Sequence, residues 1–401
     1  LATLPAGIGC HSLIERCQLK IGNSIVSEQS DFGQWMQYKS MFIDNEINLE
    51  KETYETSRVM NHDFHYRQIA DDQSDFNASG YAVMGNRSVT ETEAGDGTDD
   101  YSVLPVLQNG NEALFSISLA DMFEFMQWHQ LNLYMMDQQV SIEIFFKSKA
   151  SLGRMCLDES DKANTGAQFD IDLTELKFVA DYIFYDGDTM SKYAEQNRSM
   201  EWDYVDYRLN KRSLTQAQAQ SLHVLNVGGA GRIVNKVVCG LFQDKGISTN
   251  ASNCDVSMLN QYSAHAPALD GNNQTQFTTN LRYNDTYIYP ISITNPAIHF
   301  NHVVQAEHNV PNVTREEYSR EGQNALVTKY QGHTQQSASG VSGKFFYNAY
   351  RINKNERVSS RGIELELQYG AVENVTYTHR TWVELVRRAT LIDGKFECYY
   401  A

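Results

Sequence analysis

The sequence predicts an all-β protein built from two tandem β-sandwiches, and three observations carry that expectation. Short runs in which apolar residues alternate with polar ones recur along the chain, the period-two signature of half-buried strands. Aromatic residues are abundant, with 23 Tyr and 18 Phe, and such side chains suit a pleated surface better than a helix bundle. At 401 residues the chain exceeds the usual single domain, so two units of about 200 residues are expected.

The first hairpin is the plainest element. Cys17, Leu19 and Ile21 alternate with Arg16, Gln18 and Lys20, then Gly22-Asn23 supplies a two-residue turn before Ser24-Ile25-Val26 returns. Residues 32 to 60 combine Trp35, Met36 and Tyr38 with many carboxylates and are read as helical. A long polar interval follows to about residue 111. Residues 113–147 then read as strand, short helix and strand. Leu114 to Leu119 alternates, Leu119, Met122, Phe123 and Met126 recur at helical spacing, and Val140, Ile142, Ile144 and Phe146 share one face. Phe169, Ile171 and Leu173 open a long predicted strand running to Phe184. A connecting helix is expected between Asp188 and Met200, and another strand from Trp202 to Leu209.

The polar stretch from Lys211 to Gln220 holds few core residues and is taken as the boundary, giving a first domain of residues 1–210 and a second of 211–401. Strands are expected from Leu222 to Val227 and from Arg232 to Phe242, joined by the turn Gly228-Gly229-Ala230-Gly231. Residues 243 to 280 read as a long surface loop. Tyr287 to Ile293 is predicted as a strand, and Asn295 caps a helix with Pro296 at its first position. This strand-then-helix pattern echoes residues 113–147 at a spacing of about one domain. Further strands are expected at Phe345 to Ile352 and Ile363 to Tyr369. The last expected element is a hairpin in which Asp393-Gly394 turns the chain toward Phe396, Cys398 and Tyr400. Two eight-stranded jelly-roll sandwiches, with short inserted helices and long loops, accommodate this order.

Charge and composition limit the function. The chain is 41% hydrophobic and 21% charged, enough for a sizeable core and unlike a disordered protein. A net charge of -17 argues against a broad nucleic-acid or anionic-membrane surface, because gripping phosphates needs a cationic face. Neither a charged-then-apolar signal segment nor an apolar run long enough to span a bilayer occurs. The six cysteines form no Cys-x-x-Cys pair, and Cys17, Cys239 and Cys398 fall in alternating runs where a reduced thiol is expected.

No reaction chemistry stands out. Ser339-Gly340-Val341-Ser342-Gly343-Lys344-Phe345 lacks the first glycine and the final hydroxyl of a phosphate loop. Gly228-Gly229-Ala230-Gly231 lies between two strands, where a dinucleotide site needs a helix to follow. The histidine pairs His62/His65 and His299/His302 lack the carboxylate or further ligands a zinc site requires, and Asp96 to Asp100 reads as a solvated acidic loop. Carboxylates are plentiful, yet nothing selects one pair for glycoside hydrolysis. Eight Asn-x-Ser/Thr sites, the first at Asn77 and the last at Asn374, fit an Asn-rich chain as well as a glycoprotein. The expectation is a non-enzymatic protein with no catalytic, cofactor-binding or metal residues and no cofactor.

Residues 5–7 and 12–16 with the Gly22-Asn23 turn, the strand–helix–strand of 113–147, the segment from Tyr289 to Phe300 and the terminal hairpin from Trp382 to Tyr400 together resemble double jelly-roll major capsid proteins, notably those of polinton-like viruses and virophages. The resemblance implies homotrimers forming pseudo-hexagonal capsomers that tile an icosahedral shell, with neighbouring capsomers, penton and minor capsid proteins as partners. It implies a place in the virion after assembly inside a host cell, with no direct nucleic-acid contact, and leaves an internal membrane open. Two other classes fit the same composition: a secreted or surface β-sandwich that binds or hydrolyses glycans, and a minor or spike protein of a virion.

Overall fold

The structure, a computed structural model, describes residues 8–42, 115–148, 173–243, 277–311, 345–352, 355–370 and 376–401, together with 55, 65–67, 82–84, 171, 264, 313 and 318. A 3-10 turn, Gly9–Leu13, leads into β1, Ile14–Ile21, which pairs antiparallel with β2, Ser24–Ser30. Gly22 makes the tight turn at φ +57, a conformation that costs a residue with a Cβ. Helix α1, Phe32–Ser40, follows, and β3, His65–Arg67, with β4, Ala82–Met84, forms a small separate ribbon. Two short helices, α2, Leu119–Met122, and α3, Glu124–Trp128, precede β5, Val140–Phe146, which pairs with the free edge of β1.

After helix α4, Gly187–Gln196, come the long strand β6, Ser199–Leu214, and a one-turn helix α5, Gln216–Gln220. The second half holds β7, His223–Gly228, β8, Val234–Gln243, β9, Thr278–Tyr283, and β10, Thr286–Tyr287. Helix α6, Pro296–Glu307, then precedes β11, Asn348–Arg351, β12, Ile363–Gln368, β13, Tyr377–Ile392, and β14, Lys395–Tyr400. One sheet runs β10-β9-β12-β7, another is built on β11-β8-β13-β14 with β6 beside β13, and the third is β2-β1-β5.

Strand β13 is the spine. One edge pairs with β6 along its whole length, from Tyr377 opposite Leu214 to Ile392 opposite Ser199. Its other edge pairs with β8 from Tyr377 to Leu385 and with β14 from Arg387 to Ile392. The change of neighbour divides two hydrophobic cores. Toward one end, Trp382, Val383 and Leu385 belong to one core with the sheet of β7, β9 and β12, where Ile363, Leu365 and Leu367 are buried between outward Glu364 and Glu366. Toward the other end, Ala389, Leu391 and Phe396 meet Cys17, Leu19 and Ile21 of β1 with Phe123 and Phe125. Helix α1 serves both: Phe32 and Met36 lie in the core around β1, the first in chain order, and Trp35 and Tyr38 in the core around β12, the second. Those two pairs sit on different faces of one helix, which is why nearly every residue in it is buried.

Several expectations are corrected. The strand predicted from Phe169 to Phe184 is instead a 3-10 turn at Leu173–Glu175 followed by extended chain in no ladder with a described strand, and Phe169 lies outside the described residues. Apolar residues at strand-like spacing make a strand only where an edge is offered. The single helix expected at 120–128 is broken at Phe123, whose φ of -134 and ψ of 114 are extended. Residues 115–118 ahead of it are also outside any ladder, and Tyr287 to Ile293 keeps only β10 and a bridge from Ile293 to Thr279. Pro290 there has no N–H to give a ladder. The polar stretch from Lys211 to Gln220 forms the end of β6 and α5, whose Thr215–Gln218 capping box is complete.

Candidate functional site

The junction where β13 changes neighbours concentrates the buried charge of the described residues. Alternation on β6 sends Tyr204 and Asp206 inward, and Arg387 arrives from β13 beside them. Arg387 Nη1 lies 3.1 Å from Asp206 Oδ2, donates to the Val26 carbonyl at 2.6 Å, and through Nη2 donates to the Ile25 carbonyl at 2.9 Å. Ser27 Oγ donates to the other Asp206 oxygen at 3.1 Å, and Tyr204 donates its hydroxyl to the Val26 carbonyl at 2.8 Å. The β2 backbone is thereby fastened to the spine. Burial pushes the Asp206 carboxyl up from its ordinary range, opposed by Arg387 and then Arg208. Arg208 and Arg387 also meet the ring of Tyr400, which Arg232 covers at 3.9 Å, so three guanidiniums hold the end of β14.

A second buried network lies on the other side of the spine. Lys236 on β8 reaches Glu307 of α6 at 2.6 Å and Glu384 of β13 at 3.2 Å. Tyr38 of α1 donates to Glu307 at 2.5 Å, and Tyr207 of β6 donates to Glu384 at 2.5 Å. Burial works against the Lys236 charge, yet Glu384 and Glu307 more than offset it and its pKa is raised. Five elements meet at one cation. The network is a positioning device that holds β6, β8, β13, α1 and α6 together.

The pair His299/His302 serves packing. His299 is buried edge-on to Phe277 with ring centroids 4.7 Å apart, and burial, helped by His302, lowers its pKa to about 3. His302 meets the Tyr289 hydroxyl at 2.7 Å through Nδ1. It borders a surface hollow of about 450 Å³ with Ile288, Tyr289, Gln305, His308 and Arg351, a lining without a carboxylate or thiol. Among the described residues no group of three or more His, Cys, Asp or Glu side chains is placed to hold a metal. Residues 96–100, the pair partner His62 and residues 339–344 lie outside the described residues. Burial pushes the Cys17 thiol up to about 12 and Cys239 higher, which keeps both protonated and inert.

The surface carries one feature of a different kind. Phe178, Val179, Tyr182, Ile183, Phe184 and Tyr185 are 58–87% exposed along one extended segment, a concentration of apolar surface that soluble monomers seldom show. Sequence periodicity marked this segment as apolar but placed it in a sheet. The buried pairs were harder to see, because Asp206 and Arg387 are ordinary charged letters in alternating runs until β6 and β13 are laid side by side.

No known family model matches the sequence, and no curated protein is significantly similar to it. Among solved structures, the chain has the double jelly-roll fold of viral major capsid proteins. PBCV-1 VP54, in a crystal structure fitted into a cryo-EM reconstruction of the virophage Sputnik, aligns with a TM-score of 0.52 at 10% identity, covering 100% of this chain and 87% of VP54. The Faustovirus major capsid protein aligns with a TM-score of 0.44 at 8% identity, over 96% of this chain and 72% of that one. The mavirus major capsid protein gives a TM-score of 0.44 at 8% identity, over 98% and 78%. The likeness is one of fold, since so little sequence is shared.

Proposed function

We propose that this chain is a viral major capsid protein whose copies associate as homotrimers, each trimer a pseudo-hexagonal capsomer in an icosahedral shell. The observation that carries the reading is the alignment with PBCV-1 VP54 over the full length of this chain, at a TM-score of 0.52. The site chemistry supports it. The buried polar groups at the spine are engaged in holding strands and helices together, and the unexplained surface is apolar, as an assembling subunit requires. On this reading residues 1–210 and 211–401 are the two jelly rolls, sharing the β6–β13 pair, and the protein is structural and non-enzymatic. Its partners are other copies, then penton and minor capsid proteins, and it is assembled inside the host cell into the virion.

The acidic balance of -17 supports a shell that leaves the genome to other components. Among the described residues no helix is long and apolar enough to cross a membrane. Light scattering with negative-stain imaging tests the reading. A stable trimer of hexagonal outline is the expected result, and a clean monomer at high concentration would sink it.

A further inference from the structure

The exposed apolar segment has a matching surface on the same fold. Neighbouring residues on opposite sides of its backbone are exposed together, Phe178 at 62% with Val179 at 87%, and Ile183 at 65% with Phe184 at 84%. Neither face rests on the chain's own body. Residues 178–185 form no ladder with a described strand and run directly into α4, whose N-cap Asp186 accepts from the Thr189 N–H at 2.9 Å. The segment is extended, anchored at its end, and unpartnered within the described chain.

Strand β5 shows the converse. It pairs with β1 on one edge and with no described strand on the other. Its inward side chains Val140, Ile142, Ile144 and Phe146 pack on the first core but are only partly buried, whereas Cys17, Leu19 and Ile21 on adjacent β1 are fully covered. Among the described residues the first sandwich is therefore open along β5. An open edge with apolar side chains beside it takes an added strand, which supplies backbone hydrogen bonds and closes the core together.

We propose that residues 178–184 of one copy pair along the open edge of β5 in a second copy of this chain, completing that copy's first core. The lengths agree, since both stretches span seven residues. Its five exposed apolar side chains together with the adjoining Tyr185 offer on the order of 800 Å² of surface, about what each partner contributes to a standard stable interface. The contact is heterologous, segment to edge, a type that forms a ring when its rotation closes, as the trimer of the capsid reading requires. The inference deepens the capsid reading and rests on it.

The test is photocrosslinking between distinguishable copies. A tagged chain carrying a photoreactive phenylalanine analogue at position 179 is co-assembled with isotopically heavy, untagged wild-type chain and irradiated. The expected product is a tagged chain joined at 179 to a heavy peptide containing residues 140–146. Crosslinks confined to the tagged chain's own peptides would assign the segment to its own body and overturn the proposal. So would crosslinks to another surface, or none. A trimer that lacks the crosslink removes this contact and leaves the capsid reading standing, whereas a monomer removes the capsid reading itself. In parallel, the double variant Val179→Asp/Phe184→Asp, at two highly exposed positions, keeps the wild-type circular dichroism spectrum and weakens self-association at least tenfold; unchanged association overturns the proposal.

Discussion

Arg387 and Asp206 form a buried ion pair, Nη1 to Oδ2 at 3.1 Å, at the point where β13 exchanges β8 for β14 as its neighbour. Both side chains are nearly sealed from solvent, at 5% and 0% exposure. The pair is the hinge-pin of the architecture. It ties β6 and β13, which both reach the two cores, to the carbonyls of Ile25 and Val26 on β2. A low-dielectric setting makes such a pair costly to half-remove, because the surviving charge keeps its desolvation penalty and loses its partner.

Asp206→Asn is therefore expected to destabilise the chain by about 3–5 kcal/mol, the usual cost of stranding one member of a buried pair. Arg387→Met should cost a similar amount and also release the two β2 carbonyls. The double variant should be less destabilised than the sum of the singles. Urea denaturation of all four proteins measures the coupling, and strict additivity would show that the two charges do not depend on each other.

Phe123 gives a second expectation. It is fully buried in the first core between two short helices, while Met126 is only partly covered. Phe123→Asp should abolish soluble assembled protein, since it places a charge in an apolar site with no cation provided for it. Phe123→Ala should retain the fold and lose about 3–5 kcal/mol. Met126→Asp should be milder than Phe123→Asp. Yields on size-exclusion chromatography separate the three.

How much of this was legible in the sequence depends on how local the signal is. The hairpin at Gly22-Asn23, the turn at Asp393-Gly394, and Asn295-Pro296 opening α6 were all readable, because each is set by backbone conformation within a few residues. Asn295 accepts from the Ala297 N–H at 2.8 Å, as an N-cap should. Helix α1 was readable from Trp35, Met36 and Tyr38, though not its service to two cores. What failed was non-local. Phe178 to Phe184 has the letters of a strand, but pairing requires an edge elsewhere in the chain or in another copy. Strand β9 was missed, its first three residues falling in the loop expected at 243–280 and the rest in no element, because polar neighbours hide Leu281 and Tyr283, both buried. No periodicity could announce that β13 would be shared, since that follows from which strands lie beside it.

The two readable turns converge on one stretch. The Gly22 N–H donates to the Gln139 carbonyl at 2.9 Å, and the Asp137 N–H donates to the Gly394 carbonyl at 2.9 Å. Gly394 has φ +81, and a Cβ there would lie 2.4 Å from Asp137 Oδ2. Gly394→Ala is expected to cost about 1–2 kcal/mol from backbone strain, with a steric term added. Adding Asp137→Ala should recover the steric part and leave the backbone part. Equal stability of Gly394→Ala and wild type in thermal melts would mean the turn is not held as described.

Acid should loosen the protein above the range where its carboxylates titrate, through two histidines. Burial holds His299 and His379 each at about 3, far below the 6.5 of a free imidazole. His299 faces Phe277, Phe346, His302 and the Ile293 backbone, and His379 faces Tyr369, Thr381, His223 and Arg380, so among these described neighbours neither ring meets an anion. The sign follows from proton counting. Between pH 6.5 and 3 the unfolded chain binds a proton at each site that the folded chain refuses, so stability rises with pH across that window and falls as pH drops. At pH 5 the loss is roughly 2 kcal/mol per histidine, and below pH 3 the dependence from these groups flattens. His299→Phe, which suits its aromatic surroundings, should flatten part of the slope of melting temperature against pH between 6.5 and 4, and His299→Phe with His379→Leu should flatten more of it. A slope unchanged by both substitutions would place the acid sensitivity in other groups.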